Sequence, residues 1–155
     1  MARGADGNIT AVVSMEFSVA GSSIDIIQEL SAVLAPEQVA VDPALLWTYG
    51  QDWTRFTPPA PTAIVFPRDT ADVVAIVECA RRRQFTLVPS GGRTGLSGGA
   101  CAANGEVVVS MDKMNAISPV NLMDRTVTAG AGAITQNIQQ AARDCLLYTS
   151  DAADD

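Results

Sequence analysis

The sequence predicts an α/β or α+β domain in which helices cover a small mixed sheet. Three observations support this fold class. Short apolar runs typical of buried strands alternate with amphipathic stretches typical of helices, prolines and glycines separate most of these segments, and 48% of the 155 residues are hydrophobic, with a mean hydropathy of +0.19. A chain of this length and composition can bury one core.

The chain begins with a predicted lead-in over residues 1–41 that contains one helix over 22–34. Ser22 or Ser23 can cap this helix, and Pro36 follows its end. One face carries the residues expected to be buried, namely Ile24, Ile27, Leu30, Ser31 and Leu34.

The next stretch, 42–59, is predicted to be extended or rich in turns. Pro43 stands near its beginning and Pro58-Pro59 at its end. Trp47 and Trp53 are expected to anchor this connection to the core, since buried aromatic side chains contribute large apolar areas.

A strand, a helix and a second strand are predicted next. The strand over 63–66 precedes a helix that Asp69 or Thr70 can cap, and Arg81-Arg82-Arg83 form its solvated end. The helix has an apolar stripe made of Val73, Val74, Ile76, Val77 and Ala80. With a strand over 85–89, this order predicts parallel pairing through a right-handed crossover.

Two further strands and a helix complete the predicted domain, which spans 42–144. The strands cover 106–111 and 125–129, and the amphipathic helix covers 134–143. Asp112 and Lys113 are interpreted as a polar surface pair. Cys79 and Cys101 are interpreted as small buried residues.

Composition argues against several functions. The formal net charge is −7 and the chain has no histidine, which disfavours nucleic-acid binding and metal sites. The three cysteines are widely spaced and do not predict disulfides. The first 35 residues lack a signal peptide or an apolar stretch of membrane-spanning length, so a cytoplasmic location is expected, with membrane contact only through an electron acceptor.

Both ends of the sequence are set apart from the predicted domain. Residues before Met15 have no pattern, and Met15 is a candidate start of the natural protein. Residues 145–155, CLLYTSDAADD, are identified as the translation of a transposon adapter used in preparing DNA libraries, and we exclude them from the fold.

A glycine-rich loop lies between the second and third predicted strands. Residues 90–99 hold five of the twelve glycines. Such a loop can turn several N–H groups toward one anion, and Ser90, Thr94, Ser97 and Arg93 can add hydroxyl donors and charge. The loop lacks the Gly-Lys-Ser/Thr ending of a Walker loop and the G-x-G-x-x-G spacing of a Rossmann loop. Glycine content alone also fits a tight or flexible loop without a ligand. The glycines at 130 and 132 could likewise lead into a helix N-terminus that faces phosphate.

The loop and its surroundings resemble the FAD-linked oxidase domain of the vanillyl-alcohol oxidase and p-cresol methylhydroxylase superfamily. The matching segments are 61–67 (PTAIVFP), 70–73 (TADV), 87–100 (LVPSGGRTGLSGGA), 109–115 (VSMDKMN) and 126–132 (TVTAGAG). The segment 49–53 (YGQDW) is similar to the branch that holds D-2-hydroxyglutarate dehydrogenase, D-lactate dehydrogenase and the FAD subunit of glycolate oxidase.

The resemblance implies an α+β fold, the first subdomain of an FAD-binding domain of the p-cresol methylhydroxylase type, truncated before the second glycine-rich FAD segment. It implies that backbone amides of the loop wrap the FAD pyrophosphate, that Pro89 and Ser90 position the loop, and that residues 129–132 lie near the cofactor. The implied cofactor-binding residues are Pro89, Ser90, Gly91, Gly92, Arg93, Thr94, Gly95, Leu96, Ser97, Gly98, Gly99, Ala129, Gly130 and Gly132.

The resemblance also implies an enzyme that acts on CH–OH groups. The whole protein would oxidise a D-2-hydroxy acid such as D-2-hydroxyglutarate, D-lactate or glycolate by hydride transfer to FAD, and pass electrons to a quinone, an electron-transfer protein or oxygen. The alternatives are an alditol or sugar-lactone oxidase and an FAD-carrying electron-transfer subunit without substrate chemistry. No catalytic or metal-binding residue is assigned in this chain, and the fragment is expected to be inactive alone.

Overall fold

The computed structural model describes residues 23–145, which form a mixed sheet with helices packed against it. The helices are α1 (Ser23–Val33), α2 (Pro43–Tyr49), α3 (Thr70–Arg83) and α4 (Thr135–Asp144). The strands are β1 (Val39–Ala40), β2 (Ala63–Val65), β3 (Leu87–Ser90) and β4 (Val107–Ser110). Short 3₁₀ turns cover Pro36–Gln38 and Met111–Lys113. The candidate start at Met15, Ser22 as a cap, and the segment 146–155 lie outside the described residues.

The sheet has the strand order β1-β2-β4-β3, in which β1 is antiparallel to β2 and the other pairs are parallel. The predicted direct pairing of the strands on either side of α3 is therefore wrong. β4 is inserted between β2 and β3, because its run of three valines is buried on both faces and such a strand belongs in the middle of a parallel sheet.

Alternate residues of the central strands enter two separate apolar clusters. Val65 and Val109 face α1 and α3, whereas Ile64 and Val108 face the opposite side, where Ala102 and part of α2 cover them. This alternation follows from the two-residue period of a strand. The larger cluster contains Leu30 of α1 and is the main core of the described chain.

The helix over residues 70–83 forms as predicted, but its buried face is narrower than the apolar stripe. Asp69 caps α3 by accepting a hydrogen bond from the Asp72 amide. Its buried residues are Ile76, Cys79 and Ala80, spaced three and four apart, while Val74 and Val77 are half exposed. The same holds in α1, where Ile26 and Leu30 are buried and the predicted Ile24 is exposed; Leu34, just after the helix, is buried as predicted.

The predicted turn-rich connection over 42–59 contains a helix that the sequence reading missed. Asp42 accepts hydrogen bonds from the amides of Ala44 and Leu45, and Pro43 occupies the first turn of α2. Proline near the beginning of a helix after an aspartate cap is a helix start signal. The predicted anchoring role of the tryptophans is also wrong, since Trp47 is 57% and Trp53 is 63% exposed.

The predicted strand over 125–129 is reduced to isolated bridges. Within the described chain, Thr126 pairs with Asn121 and Ala129 pairs with Ile117, and no ladder joins them. Arg125 has a φ of 54°, which breaks the extended backbone at the beginning of the segment.

We predict that Ile76→Ala lowers the free energy of unfolding by about 2–5 kcal/mol, because it leaves a cavity between α3 and the sheet. Val77→Ala is the control on the same helix, since Val77 is 49% exposed, and should cost about 0.5 kcal/mol or less. Urea denaturation measures both values. Equal losses in the two variants would contradict the buried face described here.

Candidate active site

The glycine-rich loop begins at the carboxyl end of β3, beside the carboxyl end of β4. Ser90 and Ser110 are paired in the parallel register, and the chain continues from them into residues 91–99 and into the 3₁₀ turn. Ligands of open parallel sheets bind beyond the carboxyl ends of the strands. The topology therefore brings the predicted loop to the edge of the sheet at which a ligand is expected.

A cleft of about 590 Å³, here called the loop cleft, opens at this edge. The first part of the loop, the turn after β4 and the chain entering α4 line it. Its lining residues are Gly91, Gly92, Arg93, Thr94, Asp112, Asn115, Ala131, Gly132, Ala133, Ile134, Thr135, Gln136 and Asn137.

The N-terminus of α4 faces the loop cleft without a side-chain cap among the described residues. The first N–H groups of a helix have no partner within the helix and carry partial positive charge. Because Thr135, Gln136 and Asn137 line the cleft, this end of α4 can attract an anion into it.

The second part of the loop lines a different, smaller cleft of about 260 Å³. Leu96, Ser97 and Gly98 meet Thr54, Phe56, Thr57 and Cys101 there. Residues 91–99 therefore do not surround a single cleft in the described structure. Gly95 lies between the two parts of the loop, and Gly99 follows the second part. Both glycines are exposed.

The remaining predicted site residues lie in the supporting structure. Ser90 is fully buried in β3, its hydroxyl has no hydrogen-bond partner among the described residues, and Pro89 precedes it as an exposed residue. Ala129 bridges to Ile117, and Gly130 packs against the backbone of Met114.

The glycines of the loop and those before α4 are needed for different reasons. A Cβ on Gly91 or Gly92 would meet no described atom within 4 Å, and neither residue has a positive φ. A Cβ on Gly132 would lie 1.8 Å from the carbonyl oxygen of Met111, and one on Gly130 would lie 2.0 Å from that of Met114. Backbone packing therefore explains Gly130 and Gly132, whereas the packing of the described chain does not explain Gly91 and Gly92.

Three side chains that the sequence reading did not connect form a network at the mouth of the loop cleft. The Tyr49 hydroxyl donates to Asp112 Oδ2 at 2.9 Å, and Arg93 Nη1 lies 3.4 Å from Asp112 Oδ1. The Arg93 guanidinium lies over the Tyr49 ring, 4.3 Å from its centre. Asp112 is therefore not paired with Lys113 as predicted. Its position two residues after the end of the buried strand β4 was the signal that could have identified it.

Burial raises the pKa of the Tyr49 hydroxyl above its usual value, and the hydrogen bond to Asp112 and the Asp112 charge raise it further. Burial and the contact with Asp112 both disfavour the charged phenolate. The neutral hydroxyl therefore contributes to stability below about pH 10, and this contribution is lost as the pH rises through the raised pKa.

A second network, centred on the buried Asp52, supports the far end of the loop. Asp52 Oδ1 accepts hydrogen bonds from the Thr54 hydroxyl at 2.6 Å, the Thr54 amide at 2.9 Å and the Cys101 thiol at 3.3 Å. The Thr54 hydroxyl and amide hold the pKa of Asp52 below its usual value. Cys101 was predicted to be a small buried residue that only fills space. It is instead partly buried, and its thiol donates a hydrogen bond.

Comparison with known proteins identifies the domain. A family model described as an FAD binding domain matches residues 61–154, which contain the loop, β4 and α4. The chain belongs to this family of FAD-binding domains. The family and its cofactor, FAD, are thereby confirmed as the sequence predicted.

Three curated relatives of the FAD-binding domain cover most of the chain. D-2-hydroxyglutarate dehydrogenase of Stutzerimonas stutzeri (strain A1501) is 51% identical over 79% of the chain and 26% of its own length. The enzyme of the same name from Xanthomonas citri pv. viticola is 45% identical over 75% of the chain and 25% of its own length. A probable mitochondrial D-lactate dehydrogenase of Danio rerio is 27% identical over 87% of the chain and 27% of its own length. The chain spans about a quarter of the length of these relatives.

A solved structure supports the fold. Substrate-bound p-cresol methylhydroxylase matches 84% of the chain and 26% of its own length with a TM-score of 0.68 at 19% identity. The predicted fold, a mixed sheet flanked by helices as in FAD-binding domains of the p-cresol methylhydroxylase type, is therefore confirmed. None of the helices within residues 23–145 is long and apolar enough to cross a membrane.

We predict that Gly132→Ala destabilises the FAD-binding domain by about 1–3 kcal/mol or more, because the new Cβ must displace the Met111 carbonyl. Gly91→Ala is the matched control, and its free energy of unfolding should stay within about 0.5 kcal/mol of the parent value. Urea denaturation of both variants provides the measurement. A larger loss in Gly91→Ala than in Gly132→Ala would show that the two glycines have been assigned the wrong roles.

We also predict that Tyr49 ionises above the usual tyrosine pKa of about 10. An ultraviolet titration of the parent chain minus that of Tyr49→Phe isolates this residue. Asp112→Asn should lower the pH at the midpoint of the Tyr49 ionisation, since it removes the neighbouring negative charge. An unchanged midpoint in Asp112→Asn would contradict the described contact.

Proposed function

We propose that this chain is the FAD-binding part of a flavoprotein oxidoreductase that oxidises a D-2-hydroxy acid, with D-2-hydroxyglutarate as the favoured substrate. The observation that carries the proposal is the loop at the carboxyl ends of β3 and β4. There Gly91 and Gly92 line an open cleft with backbone that no side chain covers. Glycine allows a ligand to approach the backbone closely.

The residues of the loop cleft fit the pyrophosphate of FAD. Gly91, Gly92 and Thr94 offer backbone N–H groups and Arg93 offers a guanidinium to the same cleft that the α4 N-terminus lines. Gly132 brings that N-terminus close to the strand ends because it permits contact with the Met111 carbonyl. An anion between these elements would meet partial or full positive charge from both sides.

The other predicted cofactor residues have supporting roles in this proposal. Pro89 and Ser90 fix the beginning of the loop through the pairing of β3 with β4. Gly95, Leu96, Ser97, Gly98 and Gly99 carry the loop past the pyrophosphate to the Asp52 network. Ala129 and Gly130 hold the chain that leads into α4 against the segment after β4.

Substrate identity is inferred from the relatives. The two that are 51% and 45% identical are both named D-2-hydroxyglutarate dehydrogenase, whereas the relative named for D-lactate is 27% identical. When bound, FAD supplies the hydride-accepting chemistry of such an oxidation. The present chain has no histidine, and we infer that the groups that take the hydroxyl proton and bind the substrate carboxylate belong to the remaining part of the protein.

The acceptor and the location of the protein are the finer parts of the proposal. We infer that electrons leave the flavin for a quinone, an electron-transfer protein or oxygen, in the cytoplasm or at the membrane surface through that acceptor.

The test is to purify the full-length protein that contains this chain and record its flavin absorption without oxygen. We predict that D-2-hydroxyglutarate bleaches the flavin band, and that D-lactate and glycolate do so more slowly or not at all. L-2-hydroxyglutarate is the matched control and should leave the band unchanged. Gly91→Ala, which is expected to keep its fold, should retain less flavin.

Each outcome bears on a different part of the proposal. Full-length protein that folds but holds no flavin would rule out the cofactor site. Flavin that is bleached by an alditol or a sugar, but by none of the hydroxy acids, would identify a different oxidase. Flavin that no small substrate reduces, but that exchanges electrons with a protein partner, would identify an electron-transfer subunit.

A further inference from the structure

The network of Tyr49, Asp112 and Arg93 brings a negative charge to the proposed anion site. Asp112 lines the loop cleft together with Arg93, so a carboxylate borders a site proposed to hold a pyrophosphate. A negative charge beside an anion opposes binding of that anion. Both carboxylate oxygens of Asp112, however, are engaged by the other two residues of the network.

We propose that Asp112 and Tyr49 are positioning residues that hold the Arg93 guanidinium at the mouth of the loop cleft, where it contacts the cofactor pyrophosphate. This inference rests on the proposed function and names the side chains that set cofactor affinity. Tyr49 supplies a ring face and Asp112 supplies a carboxylate, so the guanidinium is fixed on its face and at its edge.

The backbone of Arg93 adopts an unfavourable conformation, and its side chain is held by contacts on the loop. Its φ of 57° lies in the left-handed region, which is unfavourable for a residue with a Cβ. Such a conformation persists when surrounding contacts determine it. Arg93 Nη1 donates to the Gly91 carbonyl oxygen at 3.1 Å and lies 3.4 Å from Asp112, so the side chain folds back over its own loop.

The two positioning residues are themselves fixed by the sheet and its neighbours. Asp112 lies in the 3₁₀ turn that follows β4, and its amide donates to the Ser110 hydroxyl at 3.4 Å. The Tyr49 ring meets the Phe66 ring edge to face, with the ring centres 5.2 Å apart. Arg93 is thus connected to Tyr49 at the end of α2 and to the turn after β4, and through Tyr49 to Phe66, the residue after β2.

The test is the dissociation constant of FAD from the full-length protein, measured by flavin fluorescence after the cofactor has been removed. We expect Arg93→Gln and Asp112→Asn each to weaken FAD binding by about tenfold, the scale of a lost charged hydrogen bond. Tyr49→Leu should weaken binding to a similar extent. Tyr49→Phe, which keeps the ring under Arg93, should lose only about threefold. Asp144→Asn is the control, since it removes an equal charge at the far end of α4 and should leave FAD affinity unchanged.

A double-mutant cycle separates positioning from a general effect on the fold. In the Arg93→Gln background, Asp112→Asn should change the dissociation constant by less than about twofold, because the residue through which it acts is gone. A full tenfold loss in that background would overturn the proposal. Tighter FAD binding in the single variant Asp112→Asn would also overturn it, since it would mean that Asp112 acts only as a repelling charge. If the parent protein binds no FAD, the proposed function fails instead.

Discussion

The structure depends on the burial of β4 between two parallel neighbours. Val107, Val108 and Val109 place apolar side chains on both faces of the sheet, so this strand can be covered only if helices and loops pack against both sides. The parallel register with β3 sets Ser90 beside Ser110, and it thereby brings the glycine loop and the turn at Asp112 to the same edge. The candidate site is a consequence of that pairing.

Close backbone contact is the second constraint on the site. Gly130 and Gly132 lie against the carbonyl oxygens of Met114 and Met111, and the Gly132 amide donates to the Met114 carbonyl oxygen at 3.0 Å. This contact turns the chain into α4 so that the uncapped N-terminus faces the loop. The cleft is therefore bordered by backbone N–H groups of two elements, and Arg93 contributes the charge of a side chain that Asp112 and Tyr49 orient.

The parts of the fold that the sequence predicted are those with strong local signals. The apolar runs at β2 and β4 and the aspartate cap of α3 needed no tertiary information. The insertion of β4 between β2 and β3 could not be predicted, because strand order depends on long-range burial. α2 was missed although Asp42 and Pro43 signalled it, since the prolines were read as turn residues. In the site, glycine density identified the loop, whereas the contacts of Tyr49 and Asp112 join residues 63 positions apart and leave no local pattern.

The central claim is that backbone amides at the beginning of the glycine loop hold the pyrophosphate of FAD. The most direct test is a crystal structure of the full-length protein with its flavin bound. We predict pyrophosphate oxygens within about 3 Å of amide nitrogens among residues 91–94, with the α4 N-terminus on the other side. A pyrophosphate bound away from these amides, with the loop packed only against protein, would contradict it.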